Sequence, residues 1–104
     1  MSPALLSRLD ELAGLCARHR VRRLALFGSA AKGSFDPATG SDIDLLVDFQ
    51  PMSPRELVDN YFGFLKDCER LLGVPVDLVE SGAVRNPYFR DSISASQRVL
   101  FEVA

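Results

Sequence analysis

The chain carries no surplus of positive charge: 12 Lys and Arg stand against 14 Asp and Glu, with a single histidine, for a formal net charge of −2. A global basic field that would recruit nucleic acid or an anionic membrane is thereby excluded, so no direct nucleic-acid binding is expected and any phosphate must be held locally. No apolar run approaches the roughly 18 residues that span a bilayer, and the first residues lack the basic, apolar, small-residue order of a signal peptide. The expected location is cytoplasmic, with no membrane contact. Cysteine is scarce: Cys16 and Cys68 are the only two, too far apart for a metal-site spacing or a disulfide framework, so both are expected as buried thiols. Internal repeats, low-complexity tracts and linkers are all missing. The 104 residues are read as one domain, 1–104, with room for a single core but not for separate catalytic and substrate-binding domains.

What is present is the balance of an ordinary globular protein, 47% hydrophobic and 25% charged. Leu5, Leu9, Leu12 and Cys16, widened by Leu6, Ala13 and Leu15, follow helical spacing to about His19, with Ser2 and Pro3 as cap and first helical position. "RRLALFG" is a short buried strand ending at Gly28, and "SAAKG" one or two helical turns. In "SDIDLLVDF", Ile43, Leu45, Val47 and Phe49 alternate with Asp42, Asp44, Leu46 and Asp48, which gives a strand a core side and a working side. Ser53, Pro54 and Glu56 open a helix as a capping box. Its stripe of Leu57, Tyr61, Phe64, Leu65, Cys68, Leu71 and Leu72 ends at Gly73. "VPVDLVE" is a third strand, "NPYFRDSISAS" a short helix and "RVLFEV" a last strand. The expected class is α/β (α+β), a small mixed sheet flanked by helices.

Asp42 and Asp44 are two residues apart on a strand, so they project from one face with Cα atoms about 6.5 to 7 Å apart. Carboxylates this close raise each other's pKa or need a cation to stay ionised. Mg²⁺ suits them, since it takes hard oxygen ligands and is typically held by one or two carboxylates together with substrate phosphates. Upstream, "FGS" leads from a strand end into a helical turn, aiming backbone N–H groups at an anion, and Ser29 adds a hydroxyl. Asp77, mid-strand in "VPVDLVE" and facing opposite to Val76 and Leu78, joins the pair if the second and third strands are neighbours. Three acids could hold two metal ions, one on a triphosphate and one at the attacking hydroxyl, with Asp77 as the proton acceptor. This is the equipment of phosphoryl or nucleotidyl transfer.

The pattern "GS…SDIDLLV" followed by "VDLV" resembles the minimal nucleotidyltransferases (MNT) of the DNA polymerase β superfamily, and the resemblance runs from the first strand to the last. The segment "GAVRNPYFRDSI" is similar to the end of members that act as antitoxins beside HEPN-type ribonuclease toxins. The resemblance implies a polymerase β-like fold. It implies that Gly28 and Ser29, with Lys32 and Ser41, hold the nucleotide's phosphates, that Asp42 and Asp44 bind Mg²⁺, and that Asp77 completes the triad. It further implies transfer of AMP from ATP to a hydroxyl, in the antitoxin branch a tyrosine of the partner toxin. Two departures stand out. The loop between Ser29 and Asp42 is longer than is common in the family, and Lys32 stands where many members carry arginine, which gives up bidentate phosphate geometry.

Each motif has a plainer alternative. Asp42 and Asp44 could be solvated acids at a strand-opening turn, but Asp77 and the Gly-Ser element favour a site. Gly28 to Ser34 nearly matches a P-loop and fails because serine, not lysine, follows Gly33. Asp48 shares the acids' face and is expected as a solvated edge charge. His19 is expected at a helix C-terminus, where the dipole favours it. Arg85 and Arg90 are expected on a solvated face, and a short terminal helix is expected to leave one of Tyr88 and Phe89 exposed for a partner. Two functions from different classes follow: an enzyme that modifies a partner protein, or a binding module that neutralises a partner by occlusion. Transfer to a small molecule would need a pocket built between subunits of a homo- or hetero-oligomer.

Overall fold

The structure, a computed structural model, describes residues 6–27, 43–81 and 97–103. Four strands form one sheet: β1 (Val21–Phe27), β2 (Ile43–Phe49), β3 (Val76–Glu80) and β4 (Arg98–Glu102), in the order β3-β2-β1-β4. β1 is antiparallel to both β2 and β4, while β2 and β3 are parallel. A parallel neighbour requires a long crossover, and helix α2 (Pro54–Leu72) supplies it. Helix α1 (Leu9–Arg18) precedes β1.

α2 forms where its caps place it. The Ser53 hydroxyl accepts from the Glu56 N–H at 3.2 Å, Pro54 fills the first helical position, and Gly73 closes the helix at φ 72°, a left-handed conformation that costs a glycine little. α1 carries the later part of the first apolar stripe. It starts at Leu9 without a side-chain cap, and Leu6, expected on the apolar stripe, is half exposed. Ser2, Pro3 and Leu5 lie outside the described residues, as do the "SAAKG" turns and the "NPYFRDSISAS" helix.

Both described helices pack on one face of the sheet. Leu12 and Cys16 of α1 and Phe64 and Cys68 of α2 pack with Leu24, Leu26, Ile43, Leu45, Val47, Val76 and Leu78 in one core. Burial pushes both thiols up to about 12, which keeps them protonated and inert. The buried set of β2 is Ile43, Leu45, Val47 and Phe49, the side that alternation predicts. Beyond α1, Arg20 takes φ 57° and its carbonyl accepts from Gln50 N–H at 2.9 Å, which ties the entry of β1 to the exit of β2. Among the described residues no helix is long and apolar enough to cross a membrane.

Candidate active site

The opposite face of the sheet carries the acids. Parallel pairing sets Asp44 of β2 directly beside Asp77 of β3, and antiparallel pairing sets Phe27, the last residue of β1, on the other side of Asp44. Phe27, Asp44 and Asp77 therefore form one row across three strands spaced about 4.8 Å apart. The next row on that face is Ala25, Leu46 and Val79, and Phe27, Leu46 and Val79 pack as a small apolar cluster beneath the acids. Asp44 is half-buried and Asp77 exposed.

Two acids 33 positions apart in sequence thus meet because β3 joins β2 in parallel and in this register. Gly28, the first residue of the Gly-Ser element, follows Phe27 in the chain, and Phe27 pairs with Asp44. Gly28, Ser29, Lys32, Ser41 and Asp42 themselves lie outside the described residues, as do Arg85, Tyr88, Phe89 and Arg90. Among the described residues no three His, Cys, Asp or Glu side chains gather as a metal cluster. The two acids that do meet offer hard carboxylate oxygens on adjacent strands, a donor set that fits Mg²⁺.

Two residues flanking the acids are corrected or added by the structure. Asp48, expected as a solvated edge charge, lies on an interior strand and pairs with the Arg22 guanidinium. A bulge between Val21 and Arg23 shifts the β1 register there, and sequence alternation cannot reveal it. Tyr61, expected only as part of the α2 apolar stripe, donates its hydroxyl to the Leu78 carbonyl one residue from Asp77. Burial raises the Tyr61 phenol above its ordinary range, and the negative charge of Asp77 adds to the rise. Its signal in sequence was weak: a phenol on an otherwise apolar stripe needs a partner when buried.

His19 sits far from this row. It caps α1, and its Nε2–H donates to Asp67 Oδ2 at 2.7 Å while Asn60 Nδ2 donates to the His19 carbonyl. His19, Arg20, Met52, Glu56, Asp59 and Asn60 line an open cleft of about 400 Å³. Val21 pairs with Phe49 at that end of the sheet, whereas Phe27 pairs with Asp44, so the cleft lies some 20 Å of strand away from the acids and does not include them.

Known proteins share this arrangement of elements. The family model described as nucleotidyltransferase domain matches residues 9–100. A Methanocaldococcus jannaschii protein provisionally named protein adenylyltransferase is 40% identical over 76 residues, 73% of this chain and 72% of that protein. A solved structure provisionally described as a minimal nucleotidyltransferase is 32% identical, with a TM-score of 0.75 and 90% of each chain covered. At 15% identity, only the fold is shared with a chain from a solved complex of tri-AMPylated Shewanella oneidensis HEPN toxin with MNT antitoxin. There the TM-score is 0.65, over 94% of this chain and 72% of the other. A family match over most of the chain, on a sheet that sets Asp44 beside Asp77, makes this protein a member of the nucleotidyltransferase domain family and a nucleotidyltransferase.

Proposed function

We propose that the domain, taken as residues 1–104, transfers AMP from ATP to a tyrosine hydroxyl of a HEPN-type ribonuclease toxin and thereby acts as its antitoxin. The observation that carries this reading is the row formed by Phe27, Asp44 and Asp77, which joins the strand leading to the Gly-Ser element to two acids from different strands. Asp42, two residues before Asp44, would share its face by strand alternation. The three acids would hold two Mg²⁺ ions, which when bound neutralise the triphosphate and lower the pKa of the acceptor hydroxyl.

The chain's own residues then have separable roles. Gly28 and Ser29 would offer N–H and hydroxyl donors to the β- and γ-phosphates, with Lys32 and Ser41 adding a charge and a second hydroxyl. The acceptor oxygen attacks the α-phosphorus, and its bond to phosphorus forms as the bond from phosphorus to the α–β bridging oxygen breaks. Pyrophosphate leaves, and the acceptor's proton passes to the Asp77 carboxylate. The fold likeness to a chain from an MNT–HEPN complex supports the choice of a protein partner.

The test is label transfer from α-phosphate-labelled ATP with Mg²⁺ to the purified product of the neighbouring gene, using wild type and Asp42→Asn/Asp44→Asn. Label on the partner with wild type alone is expected. Absence of label in a complex that still assembles would replace this reading with that of a binding module.

A further inference from the structure

Among the described residues β3 is an edge strand, with β2 on one side and no strand on the other. The Ile43 N–H donates to the Pro75 carbonyl at 3.0 Å, and this bond decides which groups face outward. In a parallel ladder the N–H and C=O of one residue point to the same side and alternate along the strand. Pro75 and Asp77 therefore direct their backbone groups toward β2, and Val76 and Leu78 direct theirs away from the sheet.

Outward groups on an edge are ordinarily left to water and let the strand fray. Here α2 takes one on each side of Asp77. Glu69 Oε2 accepts from the Val76 N–H at 3.0 Å, and the Tyr61 hydroxyl donates to the Leu78 carbonyl. Tyr61 and Glu69 lie eight residues apart on α2, and the residue nearer the helix end meets the earlier strand position, as an antiparallel helix and strand require. Tyr61 is itself braced edge-to-face against Phe62, with ring centroids 5.2 Å apart.

We propose that Tyr61 and Glu69 are positioning residues that clamp the β3 backbone on both sides of Asp77 and so fix the place of its carboxylate relative to Asp44. Neither touches the carboxylate; each acts through the peptide groups beside it. The proposal rests on the reading of Asp44 and Asp77 as the reacting site. Its weight comes from the sensitivity of group transfer to geometry, where a misplacement of about 1 Å can cost about 100-fold in rate.

The experiment uses the full chain with Tyr61→Phe, Glu69→Ala, Glu69→Gln and, as a control on the same helix, Asp67→Asn. Two quantities are read: amide hydrogen exchange over residues 76–80 without metal, and kcat and KM for ATP in Mg²⁺-dependent label transfer to the partner protein. Tyr61→Phe and Glu69→Ala are expected to speed exchange there by about fivefold, the worth of one net hydrogen bond, and to lower kcat by about tenfold with KM for ATP nearly unchanged. Glu69→Gln keeps an oxygen acceptor for the Val76 N–H and is expected to restore both readouts. Asp67→Asn is expected to leave both unchanged although it loosens the contact with His19. Wild-type exchange in Tyr61→Phe and Glu69→Ala would overturn the clamp, as would a Glu69→Gln variant as impaired as Glu69→Ala. A kcat loss in Asp67→Asn equal to theirs would also overturn it. Should the wild type transfer no label, the proposed function fails, and the exchange measurement alone still decides whether the clamp exists.

Discussion

Replacing Asp77 by asparagine should stabilise the metal-free protein while disabling it. Asp77 stands beside Asp44 across a parallel ladder, on strands about 4.8 Å apart, so their carboxylates are about 5 Å from each other if both extend from the same face. Because Asp77 is exposed, a water-like dielectric applies, and two unit charges at that distance repel by about 0.8 kcal/mol. Asp77→Asn keeps the shape and removes the charge. For a domain of this size a gain of that order raises Tm by roughly 3 to 5 °C. The measurement is thermal unfolding of wild type and Asp77→Asn in low-salt buffer with EDTA, repeated with Mg²⁺ and again at high salt. The variant should melt higher in EDTA. High salt should shrink the difference, since screening acts within about 3 Å at 1 M. Mg²⁺ should raise the wild type more than the variant, because a ligand that binds only the folded state stabilises it in proportion to its affinity. Transfer activity should fall by at least about 100-fold, the contribution of a positioned proton acceptor. A variant that melts at or below the wild type in EDTA, and responds equally to Mg²⁺, would refute the idea that the two acids are held together for a cation.

Phe64 is fully buried and packs edge-to-face on Phe49 with centroids 6.0 Å apart, so Phe64→Ala should cost about 3 to 5 kcal/mol in urea unfolding. Ser53→Ala removes the acceptor for the Glu56 N–H and should lower stability by about 1 kcal/mol, read by the same titration. The hydrogen bond from His19 holds Asp67 below the usual carboxylate range, with Arg70 and Arg18 helping and burial opposing. A depressed carboxylate stabilises the fold above its unfolded value of 3.8 and loses that contribution as pH falls through the folded value. Acid unfolding of Asp67→Asn should therefore show a shallower loss of stability below about pH 4 than the wild type.

Local signals made part of this molecule legible and non-local pairing withheld the rest. α2 could be bounded from Ser53 to Gly73 because caps act within a few residues, and the core side of β2 because alternation is a property of one strand. α1 lacked such a cap, and its stripe gave the core residues Leu12 and Cys16 but not the helix bound at Leu9. The pairing of His19 with Asp67, 48 residues away, left no trace in either segment. Bulges at Val21/Arg23 and at Leu24/Ala25 cannot be read from periodicity, and the first of them lies where Arg22 finds Asp48.

The candidate site stands between these cases. That Asp44 faces away from the core follows from β2 alone, and that Asp77 does so follows from β3 alone; their meeting depends on which strands are neighbours and in what register. A shift of β3 by one residue would bring Val76 or Leu78 beside Asp44 and send Asp77 to the helix side. The core therefore selects the register: Val76 and Leu78 are buried against the helices, and their burial, worth about 1.5 to 3 kcal/mol each, outweighs the repulsion of about 0.8 kcal/mol that the same register imposes on the acids. Two apolar side chains of β3 thus hold the carboxylate between them opposite its partner, and the edge contacts from Tyr61 and Glu69 act on the same peptide groups from outside.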